Sequence, residues 1–377
     1  MEIFYLLLFL SSLLFSMFIL SCYFSWIKII PEVDELEQGE DRISIVISAR
    51  NEAANIFNCL SALSKQDYNM SSVEIVIVDD NSEDETVKVV NDFQLKHPEI
   101  KIVLLEAGRY DGGSKKSAIT FAIKHTTSDI LLMTDADCMA PPSWISSMVQ
   151  YYNLKECSFL AGPVVLADSE SVFKKAQSLE FIGLVGIAAA GIYQQKPIMC
   201  NGANLMFSKS VFLEVNGFDS DLKLASGDDT QLLLKISKKY PEKVSFLKDR
   251  RAIVSTKNSS SLNEFVEQRK RWAGKIPFAL TAYTISIAVI AWIVHALLLV
   301  ALLILLRDGD INILGKISFI MVCLTEFALL NSLSGFFRKR RLLWLFLPMQ
   351  FFYWIYIVLI GVIAPLSTFS WKGRTTR

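Results

Sequence analysis

RISIVISA at residues 42–49 and VEIVIVDD at 73–80 are two short runs of β-branched residues. The polar segment between them carries apolar side chains at helical spacing, at Ile56, Leu60 and Leu63, so the three pieces read as strand, helix and strand. Near-continuous apolar strands of this kind are typical of a parallel sheet that helices cover on both faces. The stretch therefore predicts an α/β fold whose ligands bind beyond the carboxyl ends of the strands.

The same alternation continues along the chain. EIKIVLLE at 99–106 and DILLMTDAD at 129–137 are the next predicted strands, and SAITFAIKH at 117–125 is the helix between them. Polar side chains stand at the predicted strand ends, and they are Arg50, Asn51, Glu52, Asp79, Asp80, Asn81, Asp135 and Asp137. Because the carboxyl ends of parallel strands meet at one edge of a sheet, we expect these side chains to form the site.

Two common nucleotide-binding loops are excluded. The turn after the first strand, ISARNEAAN at 47–55, has no glycine, whereas a dinucleotide-binding fingerprint needs three. The nearest match to a P-loop, Gly108 to Gly113, is followed by Ser114 and Lys115 and is one residue out of register. Neither an NAD-binding nor a P-loop protein is predicted.

The composition indicates a membrane protein. Of the 377 residues 52% are hydrophobic and the mean hydropathy is +0.37, which is too apolar for an ordinary soluble enzyme. Apolar residues collect in four stretches, each long enough to cross a hydrocarbon core of about 30 Å, at 3–27, 276–306, 313–333 and 342–366. The first lacks a basic start and a small-residue cleavage site, so we interpret it as a retained N-terminal anchor.

Basic residues predict how the chain is oriented. Lys270, Arg271 and Lys275 precede the second apolar stretch, and RKRR at 338–341 lies between the last two. Such positive flanks stay in the cytoplasm. We therefore expect an integral protein of the inner or plasma membrane whose water-soluble block, 41–275, is cytosolic.

The C-terminal membrane region, 276–366, is expected to hold about three helices before a basic tail at 367–377. Four single crossings would leave both termini outside, whereas the positive tail favours the inside. The segment 276–306 is therefore expected either to span or to lie partly along the interface. Glu326, inside the third apolar stretch, more often faces a helix bundle than performs chemistry, but an intramembrane acid is a candidate site.

Cysteine and histidine usage bounds the chemistry. The six cysteines are scattered without a pairing pattern, which suits a reducing compartment. None of the three histidines clusters with cysteine, so a zinc site is not expected. No nucleic-acid partner is predicted, and the oligomeric state stays open.

Carboxylates on neighbouring strand ends suit two kinds of ligand. They accept hydrogen bonds from the base and ribose of a nucleoside, and they hold a hard divalent cation through oxygen. Asp135 and Asp137, two like charges on one face, need a positive charge between them. Mg²⁺ or Mn²⁺, completing its shell with substrate phosphate, would supply it. We predict a divalent cation as the cofactor.

Each acidic or basic group also has a plainer interpretation. Asp135 and Asp137 suit a turn or a helix N-cap before PPSWI, and Asp79 and Asp84 suit a cap of the helix that follows NSEDET. Asp228 and Asp229 suit the first turn of the helix TQLLLKI, where acids complement the helix dipole. QRKRW at 268–272 suits a basic belt beside the membrane with an interfacial tryptophan.

One apolar segment falls outside the four stretches. SLEFIGLVGIAAAGIY at 178–193 is too short to span and reads as an interfacial helix, an acceptor-lining helix or a plain buried one. It leads to CNGANL at 200–205, where Asn204 could hydrogen-bond an acceptor hydroxyl.

Seven motifs occur in order and cover nearly the whole block 41–275, and they are ISARNEAANI, IVIVDDNSEDET, SKKSAI, TDADC, GAN, GDDTQLLLKI and QRKRW. Together they resemble the family 2 glycosyltransferases of the membrane-bound type. The DxD pattern alone is weak, but VDDxSxDxT and QxxRW at this separation are strong together. The resemblance implies a GT-A fold, a Rossmann-like and mostly parallel sheet, and transfer by one in-line displacement that inverts the anomeric carbon.

The resemblance also implies roles at the donor end. Asp80 would bind the base, Arg50 and Glu52 would line the nucleoside pocket, and Lys115 would approach the phosphates. Chemistry alone does not separate Lys115 from Lys116, and the K-x-x-A register selects the first.

For the remaining acids, the resemblance places Asp135 at the ribose or the metal and Asp137 at the metal. The family's usual acidic pair is Glu-Asp, so Asp228 is a departure, while Asp229 keeps the position of the general base. Gln268, in QxxRW, is assigned to the acceptor side with the same motif's tryptophan.

Elementary chemistry supports three of these roles. A carboxylate such as Asp229 can take the proton of an attacking sugar hydroxyl. The guanidinium of Arg271 and the ammonium of Lys115 would stabilise a leaving diphosphate. The wide ring of Trp272 suits the apolar face of an acceptor sugar.

The sequence thus predicts a membrane-bound inverting hexosyltransferase that moves a sugar from a nucleotide-diphosphate sugar, of UDP type, to a lipid or cell-surface glycan acceptor. One alternative is a processive polysaccharide synthase, although such enzymes generally carry more spans. An alternative of another class is a non-catalytic membrane scaffold that binds nucleotide.

Overall fold

The computed structural model describes residues 1–30, 39–106, 115–218, 228–273, 281–364, 369–371 and 374–376. The helices are α1 Glu2–Lys28, α2 Ile56–Leu63, α3 Thr86–Lys96, α4 Lys115–His125, α5 Trp144–Leu154, α6 Val172–Tyr193, α7 Lys209–Glu214, α8 Asp228–Lys239, α9 Leu262–Ala273, α10 Ala282–Asp308, α11 Ile313–Phe336 and α12 Phe346–Ile363. The strands are β1 Ile43–Ala49, β2 Val73–Asp79, β3 Lys101–Glu106, β4 Ile130–Asp135, β5 Phe159–Ala161, β6 Val164–Leu166, β7 Leu205–Ser208, β8 Val244–Phe246, β9 Val254–Thr256, β10 Phe369–Trp371 and β11 Arg374–Thr376.

A seven-stranded sheet in the order β3-β2-β1-β4-β7-β5-β8 is the centre of the block 41–275. The strands β3, β2, β1 and β4 are parallel, as the apolar runs predicted. β7 is antiparallel to both β4 and β5, so the sheet is mostly parallel rather than wholly so. β1 and β2 are buried along nearly their whole length, which explains why their sequences are continuous apolar runs instead of alternating ones.

The strand order reverses at β1. The chain runs outward from β1 to β2 and β3, and then returns to place β4 on the other side of β1. Ala49 lies opposite Asp79, and Ser48 lies opposite Asp135, so three neighbouring strands end at one level. In an open α/β sheet the crevice at such a reversal is where ligands bind.

Within the part of the chain that the structure describes, five helices are long and apolar enough to cross a membrane, and they are α1, α6, α10, α11 and the segment Arg340–Ile363 that contains α12. α1, α10, α11 and α12 fall within or around the four apolar stretches of the sequence. α6 has 22 residues, so the expectation that this segment is too short to span was wrong on length. It does not cross, however, because β5 before it and β7 after it pair in the same sheet. With 67% of its apolar window buried, it is a buried helix.

Two cationic side chains of the block 41–275 donate hydrogen bonds to the C-terminal ends of the apolar helices α1 and α11. Lys248 Nζ donates to the carbonyl oxygens of Trp26 at 2.6 Å and Ile29 at 2.9 Å, at the C-terminal end of α1. Arg250 donates to the carbonyl oxygens of Phe336 at 2.8 Å and Gly335 at 2.9 Å, at the end of α11. Carbonyls at a helix C-terminus lack partners within the helix and carry partial negative charge, so cations are favourable there.

The domain division keeps the status of a prediction. The N-terminal anchor was predicted at 3–27, and the helix there, α1, runs from Glu2 to Lys28. The block 41–275 was predicted to end at 275, and its last helix, α9, ends at Ala273. Of the predicted tail, the backbone forms a short antiparallel pair, β10 and β11, and its side chains lie outside the described residues.

Candidate active site

The ends of β1 and β2 are joined by Arg50. Its side chain is 8% exposed, and its Nη1 donates to the backbone oxygen of Asp80 at 2.9 Å. Asp80 itself is fully buried, and its backbone N donates to Ala49 O at 2.8 Å. The predicted base-binding and nucleoside residues therefore lie side by side at the carboxyl edge, with Asp80 beneath the surface.

Two asparagines shape this edge. Asn51 and Asn81 both have positive φ, of 52° and 58°, which asparagine tolerates better than most residues. Asn51 N donates to Ser82 Oγ at 2.9 Å, and Asn51 Oδ1 accepts from Glu83 N at 2.8 Å. The two loops after β1 and β2 are thus bonded to each other, which fixes the shape of the crevice.

Glu52 and Asp84 serve the loops as well. Glu52 is 7% exposed; its backbone N donates to Thr86 Oγ1 at 2.8 Å, and its carboxylate accepts from Asn55 Nδ2. Asp84 accepts from the first backbone N of α3, at Thr86, as an acid at a helix start is expected to do. Burial works to raise the pKa of Asp84, but the hydrogen bonds from Thr86 and Ala53 outweigh it, and the pKa is lowered.

Lys115 forms an ion pair with Asp135, the first aspartate of the DxD motif. Lys115, at the start of α4, places Nζ 2.7 Å from Asp135 Oδ1. Asp135 ends β4, and Cys138 N donates to its carbonyl in the turn that follows. The next helix, α5, has Ser143 as its N-cap, so neither DxD aspartate caps it as the plainer interpretation proposed.

The donor set suits a hard divalent cation. Asp135, Asp137 and Cys138 each offer one ligand atom, and these atoms lie within 4.8 Å of one another. Burial, followed by the charges of Asp135 and Asp137, raises the pKa of the Cys138 thiol well above its ordinary value. A protonated thiol is not a ligand for Mg²⁺ or Mn²⁺, whereas carboxylate oxygens are. The two aspartates therefore fit the predicted cofactor, with Cys138 as a packing residue behind them.

Asp229 lies next to the same strand end. Its Oδ2 accepts from Gly202 N at 3.0 Å, and a Cβ on Gly202 would be 3.5 Å from Cε of Met133, two residues before Asp135 in β4. Asp229 also stands in the first turn of α8, and its Oδ1 accepts from Thr230 N. The side chain of Asp228 lies outside the described residues.

Lys116 connects α4 to α8. This lysine is 1% exposed, and its Nζ donates to Gln231 Oε1 at 3.0 Å, two residues after Asp229. With Lys115 on Asp135, the two lysines link the DxD turn to the start of α8. The motif register selects only Lys115, yet Lys116 also reaches the GDDTQ motif, through Gln231.

Asn204 has a structural position. It is fully buried, its Oδ1 accepts from Trp144 Nε1 at 2.8 Å, and its Nδ2 donates at 2.9 Å to the carbonyls of Pro163 and Ala252. This side chain ties three segments of the core together. Its hydrogen bond to an acceptor hydroxyl stays a prediction.

The QxxRW motif lies on α9. Gln268 Oε1 accepts from Arg269 Nη1 at 2.6 Å, and the guanidinium of Arg269 lies 4.2 Å from the ring centroid of Trp272. Arg269 is 3% exposed and forms two hydrogen bonds, at 3.1 and 2.7 Å, with Glu180 of α6. Arg271 is half-buried beside them on the same helix.

A cavity of about 500 Å³ opens beside this motif. Asp229 and Trp272 both line it, so the predicted base and the predicted acceptor platform share one space. The rest of its wall is mostly apolar and comes from α1, α6, α10, α11 and α12. Among the described residues, Gln268, Arg271, Asn204 and the DxD aspartates do not line it.

Comparison with known families assigns the chain. The family model described as Glycosyl transferase family group 2 matches residues 130–364, more than half of the sequence, and that described as Glycosyl transferase family 2 matches 44–215. The chain belongs to this family. The predicted family is thereby confirmed, while the roles of single motif residues are not part of these matches.

Individual glycosyltransferase relatives are distant. The glucosyl-dolichyl phosphate glucuronosyltransferase of Haloferax volcanii is 28% identical over 48% of this chain and 58% of its own. The poly-beta-1,6-N-acetyl-D-glucosamine synthase of Staphylococcus epidermidis is 25% identical over 54% of this chain and 49% of its own. The chain thus spans about half the length of the curated relatives it matches.

One solved structure extends the fold comparison. A mannosyltransferase from Pyrobaculum calidifontis, in complex with GDP-Man and Mn²⁺, matches 96% of this chain and 98% of its own with a TM-score of 0.59 at 17% identity. At this identity the likeness concerns the fold, and it confirms the predicted GT-A-like α/β architecture.

The sequence did not lead us to predict the buried ion pair of Glu180 and Arg269. The QxxRW pattern draws attention to Arg271 and leaves Arg269 as one of its variable positions. The signal was present, since Glu180 is the one acid in the apolar segment 178–193 and an acid there needs a cationic partner.

Proposed function

We propose that the protein is a membrane-bound, metal-dependent inverting glycosyltransferase that moves a sugar from a nucleotide-diphosphate sugar to a lipid or glycan acceptor. The observation that carries the proposal is the linked set of charged groups at the strand reversal. Lys115 bonds Asp135, Lys116 bonds Gln231 two residues after Asp229, and Asp229 accepts from Gly202 N, which lies close to Met133 of β4. A donor diphosphate and an acceptor hydroxyl need such a set within one crevice.

The donor half of the proposal rests on the strand ends. Arg50, Glu52 and Asp80 would surround the nucleoside, and Lys115 with Arg271 would stabilise the negative charge that grows on the leaving diphosphate. A divalent cation held by Asp135 and Asp137 would supply further charge neutralisation there when bound. The GDP-Man and Mn²⁺ of the Pyrobaculum structure support a nucleotide-diphosphate sugar and a cation; the sequence favours a UDP-sugar.

The acceptor half rests on Asp229. In the proposed step, an acceptor oxygen bonds to the anomeric carbon while the bond from that carbon to the diphosphate oxygen breaks. The proton of an acceptor hydroxyl passes to the Asp229 carboxylate, and the nucleoside diphosphate leaves. A base in this position contributes about a hundredfold to ten-thousandfold. Trp272, which lines the same cavity, would face the acceptor.

Location in the inner or plasma membrane, with the sheet in the cytosol, is part of the proposal. The apolar helices α1, α10, α11 and α12 support membrane insertion. Basic residues at 338–341 and at the end of α9 support the cytosolic side.

A processive polysaccharide synthase is the second candidate, favoured by the Staphylococcus relative. It would need a polar passage for its product, whereas the cavity wall here is mostly apolar. A non-catalytic scaffold would bind nucleotide without releasing sugar. The length of the product, measured by gel filtration, separates single transfer from polymerisation.

The decisive experiment is donor turnover by the purified protein in lipid nanodiscs. UDP- and GDP-linked hexoses are supplied one at a time, with Mn²⁺ or with EDTA, and free nucleoside diphosphate is measured. We expect release from one donor class, only with the cation. Binding of a donor by calorimetry with no release under any condition would overturn the enzyme proposal in favour of the scaffold.

A further inference from the structure

The 500 Å³ cavity is more than an extension of the donor crevice, because about half of its lining residues come from α1, α10, α11 and α12 and many of the others from α6. We infer that it binds the hydrocarbon chain of a lipid acceptor whose nucleophilic oxygen lies at Asp229. This inference rests on the proposed function and names its acceptor class. It is carried by the extent of the cavity along α10 and by the chemistry of its wall.

The cavity is elongated along α10. Thr284 and His295 both line it, and eleven residues of α-helix span about 16 Å. That length is about half of a hydrocarbon core of roughly 30 Å. A chain of this length lying between helices is the natural occupant, whereas a sugar alone would leave most of the space empty.

The cavity wall combines an apolar body with polar residues at two places. Asp229, Thr230 and the Glu180–Arg269 ion pair line it, and so do His295, Glu326 and Gln350. Small side chains elsewhere, among them Gly183 of α6 and Ala288 of α10, leave the interior open. A glycan chain in the apolar body would lose water from its hydroxyls without gaining partners, at a cost of several kcal/mol for each such group. A lipid would place its hydrocarbon chain in the apolar body and its polar head at the polar residues, so it would not leave hydroxyl groups without partners.

A buried histidine forms a polar point in the cavity wall. His295 is fully buried, and its Nδ1 lies 2.5 Å from Ala291 O, to which it can only donate. Its Nε2 lies 3.7 Å from Glu326 Oε1, and the two groups form an ion pair when the ring is protonated.

Glu326 is itself held in place. Its Oε2 accepts from Gln350 Nε2 at 2.8 Å, and Gln350 Oε1 accepts from Trp354 Nε1 at 3.1 Å. Three membrane helices, α10, α11 and α12, therefore meet around one polar point in the cavity wall. The acid that the sequence singled out faces a helix bundle, as expected, and it also faces the ligand space.

Lipid binding is tested by native mass spectrometry on the full-length protein. The probes are dioleoylglycerol, with a hydroxyl head, and dolichyl phosphate, with a phosphate head, each offered in phosphatidylcholine nanodiscs. Ala288→Phe places a ring in the cavity; the matched control is Val289→Phe on the same helix, whose side chain is 50% exposed and does not line the described cavity wall. We expect wild type and Val289→Phe to retain one molecule of one probe, and Ala288→Phe to lose at least tenfold in occupancy.

Sugar transfer to the retained probe is measured in the same samples, together with donor hydrolysis. The ratio of lipid transfer to hydrolysis should fall at least tenfold in Ala288→Phe and stay unchanged in Val289→Phe. If Ala288→Phe fails to fold, Ala288→Leu is used with the same criteria. Equal retention and equal ratios in both variants would overturn the cavity proposal, as would retention of neither probe by wild type. Absence of donor hydrolysis in wild type, with lipid still retained, would instead contradict the proposed enzyme.

Discussion

The two ends of the site are built in different ways. The donor end lies on the sheet, where Arg50, Asp135 and their neighbours are consecutive with buried strands and are fixed by backbone register. The acceptor end lies between helices that are far apart in the chain, from Phe15 of α1 to Ile360 of α12. The first end is charged and belongs to the block 41–275, and the second is mostly apolar and lies largely between α1, α6, α10, α11 and α12.

This difference teaches where specificity resides. A nucleotide diphosphate offers the same phosphates and ribose in every donor, so short motifs at strand ends suffice to recognise it. An acceptor chain has few polar atoms, and it can be selected only by the volume and shape that packed helices leave. Changes at the sheet should therefore alter turnover, and changes between the helices should alter which acceptor is used.

Asp229→Asn should give the largest loss of sugar transfer. Asp229 is the residue at which the proposed donor and acceptor ends meet. The amide keeps the shape of the carboxylate but cannot take a proton, so transfer to a hydroxyl acceptor should fall about a thousandfold. Steady-state kinetics with saturating donor measures it, and donor affinity by calorimetry should change little. The matched control is Asp168→Asn, whose side chain is 97% exposed, with activity near that of wild type. Equal activity of Asp229→Asn and the control would remove the proposed base.

Asp137→Ala should be next and concerns the donor end alone. With one cation ligand lost, donor turnover should fall at least a hundredfold, because a bound metal contributes several kcal/mol to stabilisation of the leaving charge. The concentration of Mn²⁺ needed for half-maximal turnover is the readout, and it should rise. If EDTA leaves wild-type turnover unchanged, the two aspartates have a different role.

Asn204→Ala should act on stability instead of chemistry. Three buried hydrogen-bond partners, Trp144 Nε1 and the carbonyls of Pro163 and Ala252, would be left unsatisfied, and the free energy of unfolding should drop by about 2 kcal/mol or more. Asn153→Ala, on an exposed position, should change it by less than about 0.5 kcal/mol. Thermal melts in detergent compare the two. A stable Asn204→Ala variant with a raised KM for the acceptor would support the original expectation.

The smallest effect concerns pH and the sheet. Glu74 is 3% exposed and binds Ser44, Thr127 and Lys101; burial works to raise its pKa, but these partners lower it below the ordinary value of 4.5. A lowered folded-state pKa contributes stability that is present above the unfolded pKa and is lost as the pH falls through the folded pKa. The contribution of Glu74 to stability should therefore be complete at pH 7 and should decline as the pH falls below about 4.5.

Thermal melts at pH 7 and pH 4 on wild type and Glu74→Gln measure this contribution. The variant should be less stable at pH 7 and should lose less on acidification. Glu242→Gln, at an exposed position, is the control and should follow wild type. An identical loss for Glu74→Gln and wild type would show that other groups carry the acid dependence.

Much of the donor end could be predicted from sequence because its information is local. The apolar runs predicted β1 to β4, and the polar residues after them are at the predicted edge. The plainer interpretation was right for Asp84, and both interpretations apply to Asp229, which stands in a first helical turn and also beside the cavity. Motif spacing alone did not distinguish these cases.

The acceptor end could not be predicted in the same way. Asn204 was assigned to the acceptor because it follows a glycine near the site, but its environment depends on Trp144, Pro163 and Ala252, which are distant in the chain. Likewise, only packing reveals that Arg269 turns toward Glu180 while Arg271 does not line the cavity. Such partnerships are tertiary and leave no periodic trace.

The hydrogen bonds of Lys248 and Arg250 to the ends of α1 and α11 have a practical consequence. A fragment made from the block 41–275 would keep both cations but lose the carbonyl groups that they contact, together with about half of the residues that line the proposed acceptor cavity. Such a fragment could still report on nucleotides and ions. It would lack much of the cavity proposed to bind the acceptor, so a screen for the acceptor has to use the intact chain in a bilayer.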